Sequence, residues 1–170
     1  MQLLRCRRSI RKFTEQKIEA EKVELLKEAA LRSPSSRNFN PWRFWFVEDR
    51  GVINKLANCK EHGSAFMAGA SLVVVVTADE GESDAWIEDC SIASILLQLT
   101  AQSLGLGSCW VQVRMRKTSD GLNSEVYVRD ALKIAENIRI ESIIAIGYPA
   151  EQKEGVTINE LQFEKIKTIP

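Results

Sequence analysis

The chain has 170 residues, of which 45% are hydrophobic and 27% charged, the make-up of a globule with room for one sizeable core. Lys plus Arg equal Asp plus Glu at 23 each, so no overall field gathers nucleic acid or acidic lipid. The four cysteines are scattered without a CxxC and the only histidine is His62, which argues against a zinc site, a Cys-His pair and a Ser-His-Asp triad.

The N-terminus MQLLRCRRSI carries no apolar run of signal-peptide length, and SLVVVV is too short to span a bilayer. A single domain over 1–170 in a reduced, cytoplasmic setting is expected. The first feature along the chain is CRRSIRKF, Cys6–Phe13, dense in cations. A helix follows over Ile18–Leu31, with Val23, Leu26 and Ala30 on one face. Ser33-Pro34-Ser35-Ser36 ends it, since the residue before a proline is driven away from the α conformation. Trp42–Val47 reads as an aromatic strand, Val52–Lys60 as a short helix, and Leu72–Thr77 as a strand buried on both faces. The strongest helix is Ser83–Leu104, where Trp86, Cys90, Ala93, Leu97, Thr100 and Leu104 recur at alternating four- and three-residue steps. Gly105 and Gly107 mark its C-cap and a tight turn. SCWVQV is the next strand, Ser124–Lys133 a helix, and RIESIIAIGY the last core strand; the tail is polar until LQFEKIKTI. Strands alternating with helices leave a layered α/β or an α+β domain open. Neither a GxGxxG after a strand nor a GxxxxGK[ST] occurs.

Three stretches carry chemistry. As a helix, the basic segment makes Arg7 and Arg11 neighbours at i,i+4; as a strand, it puts Arg7, Ser9 and Arg11 on one face. Either way guanidinium forks converge on one small anion with a hydroxyl between them, which suits phosphate. A solvated cationic edge or an RNA patch is the plainer reading. The second stretch, SPSSRNFNPWRFWFV, brings amides and hydroxyls to a strand mouth, where they can bond a polar heterocycle. The third, GLGSCWVQV, is a glycine turn whose backbone can approach a flat ligand.

Together these stretches resemble the nitroreductase family of FMN-dependent oxidoreductases. The resemblance rests on Arg7-Arg8-Ser9-Ile10-Arg11-Lys12-Phe13, on Pro34-Ser35-Ser36-Arg37-Asn38-Phe39-Asn40-Pro41-Trp42-Arg43-Phe44 (Asn40 standing where Gln is usual), and on Trp86 with Glu88-Asp89. Gly105-Leu106-Gly107-Ser108-Cys109-Trp110 and Ile146-Gly147-Tyr148-Pro149-Ala150-Glu151 complete it. It implies a central, mostly antiparallel sheet flanked by helices, in a homodimer. It also implies bound FMN, with Arg7, Arg8, Ser9 and Arg11 at the phosphate and ribityl chain. Pro34, Ser35, Ser36, Asn38 and Asn40 would line the flavin of the partner subunit, and Ser108, Cys109, Trp110 and Val111 the isoalloxazine.

The implied activity is ping-pong transfer of electrons from NADH or NADPH to a small acceptor such as a nitroaromatic or quinone. No side chain acts as acid or base, so no catalytic residue and no metal ligand is assigned. A non-catalytic flavin binder or sensor, and a flavin enzyme of dehalogenase-like chemistry, are the alternatives. Larger members hold the flavin pyrimidine with an Asn and a Lys where this chain has Gly63 and Phe66. They complete the phosphate site with a Lys/Arg pair after the Gly-Tyr segment; here Lys153 lies close, and Lys165 and Lys167 come later. Cys109 reads as a packing residue, His62 as a surface residue, and Glu88 and Asp89 as partners of the helix dipole.

Overall fold

A computed structural model describes residues 1–169. Strands β1 (Trp42–Val47), β2 (Leu72–Asp79), β3 (Gly107–Gln112) and β4 (Ile138–Gly147) form one sheet in the order β1-β2-β4-β3, with every neighbouring pair antiparallel. The helices are α1 (Gln2–Cys6), α2 (Ala20–Leu31), α3 (Arg50–Leu56), α4 (Trp86–Ser103) and α5 (Ser124–Leu132).

Strand β2 is apolar without alternation because it is covered on both faces. Leu72, Val74, Val76 and Ala78 pack with Ile144 and Ile146 against Val23, Leu26 and Ala30 of α2 and Cys90, Ala93 and Leu97 of α4. Val73 and Val75 turn the other way, with Ile143 and Ala145, onto Ile53 and Leu56 of α3 and Val128 of α5. The result is an α+β fold of three layers, helices on either side of a wholly antiparallel sheet.

Helix α4 buries the expected stripe, with Ala101 completing it; Thr100 and Leu104 lie at its half-buried rim. Its end is set by Gly105 at φ +75° and by the Leu106 N–H donating to the Ala101 carbonyl at 2.8 Å, which closes the last turn. On the far side of α4, Ile92 and Ile95 remain 39% and 37% exposed. Across the sheet, Glu125 of α5 takes both arms of the Arg139 guanidinium at 2.9 and 3.0 Å and the Ile140 N–H at 3.2 Å, tying helix to strand.

Some expectations shift. The helix expected over Val52–Lys60 starts earlier, at Arg50, because the Asp49 carboxylate accepts from the Val52 N–H and caps it; it ends at Leu56. Gly107 makes no turn but opens β3. Helix α1 and the short turns Ile158–Glu160 and Phe163–Lys165 have no periodic apolar signal in the sequence. Among the described residues no helix is long and apolar enough to cross a membrane.

Candidate functional site

The basic segment is extended and lies across one end of the sheet. Ser9 bridges Ser108 in parallel, the Ile10 N–H donates to the Ser108 carbonyl at 3.0 Å, and Phe13 bridges Pro149. Two glycines make this crossing possible. Gly107 and Gly147 are register partners on β3 and β4, and each lies under an apolar side chain of the segment. A Cβ on Gly107 would stand 2.8 Å from Ile10 Cγ2, and one on Gly147 would stand 3.0 Å from Phe13 Cδ1. Ile10 is thus the buried anchor, and the polar residues around it are left to face solvent.

Those residues converge. Arg7, Arg8, Ser9 and Arg11 line one cavity of about 350 Å³, and Lys153 from the segment after β4 completes its wall. Lys153 donates to the Ser9 carbonyl at 2.8 Å and pairs with Glu151 at 3.1 Å. The same Glu151 oxygen accepts the N–H of Arg11 at 2.6 Å and of Lys12 at 3.2 Å, and these bonds, that of Arg11 first, hold its carboxyl below the usual range. Glu151 is spent on the backbone, so the guanidiniums of Arg7, Arg8 and Arg11 have no carboxylate ion pair among the described residues. Lys165 and Lys167 lie on the exposed tail and do not line the cavity.

From this cavity the edge of the sheet runs outward along β3. Because the Ser108 carbonyl faces Ile10, the alternate residues Trp110 and Gln112 aim their N–H and C=O groups at the same open edge, while Cys109 and Val111 pair with β4. The run Ser108–Val111 thus divides between the open edge and the pairing with β4. Cys109 and Val111 are buried with their side chains in the core, and the backbone groups available at the edge belong to Trp110 and Gln112. The Trp110 indole N–H donates to the Gln112 side chain at 2.9 Å, and Gln112 to the Arg114 carbonyl at 3.2 Å, which fixes both side chains. Burial raises the Cys109 thiol pKa, as befits a packing residue rather than a thiolate.

The Ser/Asn loop lies elsewhere. The Ser36 N–H donates to the buried carboxylate of Asp89, in the first turn of α4, at 2.8 Å. The Ser35 hydroxyl donates to Asn40 Oδ1 at 2.9 Å and accepts from the Asn40 N–H at 2.8 Å. Arg37, Asn38 and Asn40 all have positive φ, near 50° to 57°. Asparagine tolerates that region, whereas arginine there costs about 1 kcal/mol or more, so the loop carries strain held by its hydrogen bonds. Pro34 and Asn38 are exposed, and Ser35, Ser36 and Asn40 half-buried. Arg8 and Ile10, by contrast, sit beside Gln102 and Gly105, at the other end of α4. Asp89 and Gln102 are separated by about 20 Å at 1.5 Å per helical residue. One chain therefore keeps its basic cavity and its Ser/Asn loop apart.

The profile described as "Nitroreductase family" matches residues 4–61 and 53–148. The chain belongs to the nitroreductase family. It is 40% identical to a solved "FMN-dependent Nitroreductase" from Clostridium difficile, with a TM-score of 0.95, covering 98% of this chain and 96% of that one. A "Putative NADH dehydrogenase/NAD(P)H nitroreductase" of Archaeoglobus fulgidus is 34% identical over 158 residues, 91% of this chain and 87% of the relative. A structure from Parabacteroides distasonis, 29% identical, has a TM-score of 0.88 and covers 98% of this chain and 95% of that one.

Against this nitroreductase frame, sequence reasoning missed the tasks of three residues, Gln112, Asp89 and Glu151, although the last two stand in the segments that carry the resemblance. Gln112 was recoverable by extending the period-two count from Ser108 and Trp110. Asp89 and Glu151 act through backbone N–H groups 53 and 140 residues away in sequence, and no local pattern reports such a bond.

Proposed function

We propose that this chain is an FMN-dependent oxidoreductase that takes electrons from NADH or NADPH and passes them to a small acceptor. The observation that carries the reading is the cavity of Arg7, Arg8, Ser9, Arg11 and Lys153, whose arginines have no carboxylate ion pair among the described residues, joined through the Ser9–Ser108 bridge to an unpaired strand edge. Such a cluster leaves charge-assisted donors for a phosphate, and the edge offers N–H and C=O groups to a flat polar ring. The residues present therefore fit FMN.

When bound, FMN supplies the hydride and electron chemistry between NAD(P)H and an acceptor such as a quinone or nitroaromatic, in a ping-pong cycle. The protein binds and orients. Arg7, Arg8, Arg11, Ser9 and Lys153 would hold the phosphate end, and the Trp110 and Gln112 backbone groups would address the ring. No acid or base is asked of a side chain: Cys109 is buried with a raised thiol pKa, Asp89 is bound to the Ser36 N–H, and His62 lies exposed.

We further infer a homodimer. The Ser/Asn loop is built and strained yet stands about 20 Å along α4 from the basic cavity of its own chain. A two-fold pairing brings each loop to the partner's cavity, and Ile92 and Ile95 on the open side of α4 give the pairing an apolar centre. Sedimentation of flavin-loaded protein should give a dimer; a folded, loaded monomer would contradict this. For the activity, the purified protein is expected to show a flavin spectrum that bleaches anaerobically on adding NADH or NADPH and returns with a quinone. A bound flavin that neither nucleotide bleaches would favour the non-catalytic binder.

A further inference from the structure

Asp89 is a buried carboxylate without a cation. It is only 2% exposed, and among the described residues no Lys, Arg or His pairs with it. It stands in the first turn of α4, yet it does not cap that helix: the N-cap is Ala85, which has no side-chain cap bond. Both Asp89 oxygens bond groups outside the helix. One accepts the Ser36 N–H at 2.8 Å, and the other accepts the hydroxyl of Ser83, itself buried, at 3.4 Å. Burying a charge without a counter-ion is costly unless hydrogen bonds offset it, so these bonds are what keep the carboxylate there.

The Ser36 N–H belongs to the strained loop. Ser36 directly precedes Arg37, the first of the three residues at positive φ. Within the loop, Ser35 and Asn40 bond each other, and the Asn38 and Phe39 N–H groups reach back to the Ser35 and Ser36 carbonyls. Those bonds set the loop's curvature but not its place. Among the described residues, the only hydrogen bond from Pro34–Phe39 to α1–α5 or β1–β4 is the one to Asp89. An arginine held in the left-handed region carries strain of the same order as one hydrogen bond, so loss of that bond lets Arg37 leave the region.

We propose that Asp89 is a positioning residue, which holds the Ser/Asn loop in the shape and place in which it meets FMN bound by the partner subunit. The proposal rests on the FMN and homodimer readings above. Asp89 is closed off from solvent and acts through the backbone of Ser36. The basic cavity of its own chain lies about 20 Å further along α4, so the effect of Asp89 falls on the other subunit's site.

The test is FMN titration of the full-length protein, in homodimers and in mixed dimers assembled from two differently tagged chains. Asp89→Ala is expected to weaken FMN about tenfold or more with the circular dichroism native. Asp89→Asn, whose side-chain oxygen can still accept the Ser36 N–H, should recover most of that affinity. The mixed dimers give the readout that a purely structural role would not move. With Asp89→Ala on one chain and Arg11→Ala on the other, one site keeps both an intact cavity and an intact loop, so half the flavin should bind at wild-type affinity. With both substitutions on the same chain neither site is intact, and that half should be lost. If Asp89→Ala does not fold, Asp89→Val, which fills the space without an acceptor, takes its place. Wild-type affinity in the substituted homodimer, equal loss in both mixed dimers, or the reverse pattern overturns the proposal. Wild-type protein that binds no FMN, or sediments as a loaded monomer, overturns the earlier readings instead, and both are checked before any variant is made.

Discussion

Replacing Gly107 by alanine tests how the basic segment is held. The added Cβ would meet Ile10 Cγ2 at 2.8 Å, Cβ at 2.9 Å and Cγ1 at 3.0 Å, all backed by the core. Ordinary contact begins near 3.4 Å, so Ile10 must withdraw by about 0.6 Å, and it is only 7% exposed. Overpacking of this kind costs about 1–3 kcal/mol. Ile10 is flanked by Ser9 and Arg11, so its withdrawal also disturbs the Ser9–Ser108 bridge and the cavity beside it.

Chemical denaturation and FMN titration read the two consequences. Gly107→Ala is expected to lose about 1–3 kcal/mol of stability and about tenfold or more in FMN affinity. Gly105→Ala is the control: φ there is +75° and nothing lies within 4 Å, so it should cost about 1 kcal/mol through backbone strain and leave FMN affinity alone. Ile10→Ala removes Cγ2 and Cγ1 but keeps Cβ, so it should relieve part of the crowding and make the double variant less damaged than the sum of the singles by about 1 kcal/mol. If the costs simply add, Ile10 is not pressed by Gly107 and the account of the crossing fails.

Arg11→Ala should weaken FMN far more than riboflavin, because only FMN has the phosphate; equal loss of both ligands refutes the phosphate assignment. His62→Ala, Cys109→Ala and Glu88→Gln should each keep turnover within about tenfold, or about 1.4 kcal/mol of barrier, and abolished activity with flavin still bound would refute the absence of a side-chain acid. Glu125 should matter for stability alone: burial raises its pKa, but the Arg139 guanidinium and the Ile140 N–H outweigh that and leave it lowered. Glu125→Ala is expected to cost about 2–3 kcal/mol, below the range for a fully buried pair because Arg139 is partly exposed and keeps Glu80, with FMN affinity unchanged. The Glu151 carboxyl has a lowered pKa, so its hold on the Arg11 and Lys12 N–H groups is complete above the usual 4.5 and lost as pH falls through the lowered value. FMN dissociation should therefore quicken in that acid window before far-UV signal is lost, and Glu151→Gln should show the weakened hold already at neutral pH.

The sheet and the long helix were legible because their signals are local. Leu72–Thr77 could only be a strand covered twice, and the step from Trp86 to Leu97 could only be a buried helical face. The candidate site was legible in part for the same reason: Arg7, Arg8, Ser9 and Arg11 are close in sequence, and all four line one cavity. The task of Gly107 was misread, since a glycine that admits an isoleucine from 97 residues earlier looks identical in sequence to one that makes a turn.

An unpaired strand edge is ordinarily a hazard, since its free N–H and C=O groups invite another strand. Here β3 is an edge strand of the sheet, and only its first residues are covered, by the parallel bridge from Ser9. The segment then departs toward Pro149, and the Trp110 and Gln112 backbone is left open next to the cation cluster. The Trp110 and Gln112 side chains on this strand are fixed to each other and to the Arg114 carbonyl. On the proposed reading, the open edge and the adjoining cations are where a phosphorylated planar ligand is held, the cations taking the phosphate and the strand edge taking the ring.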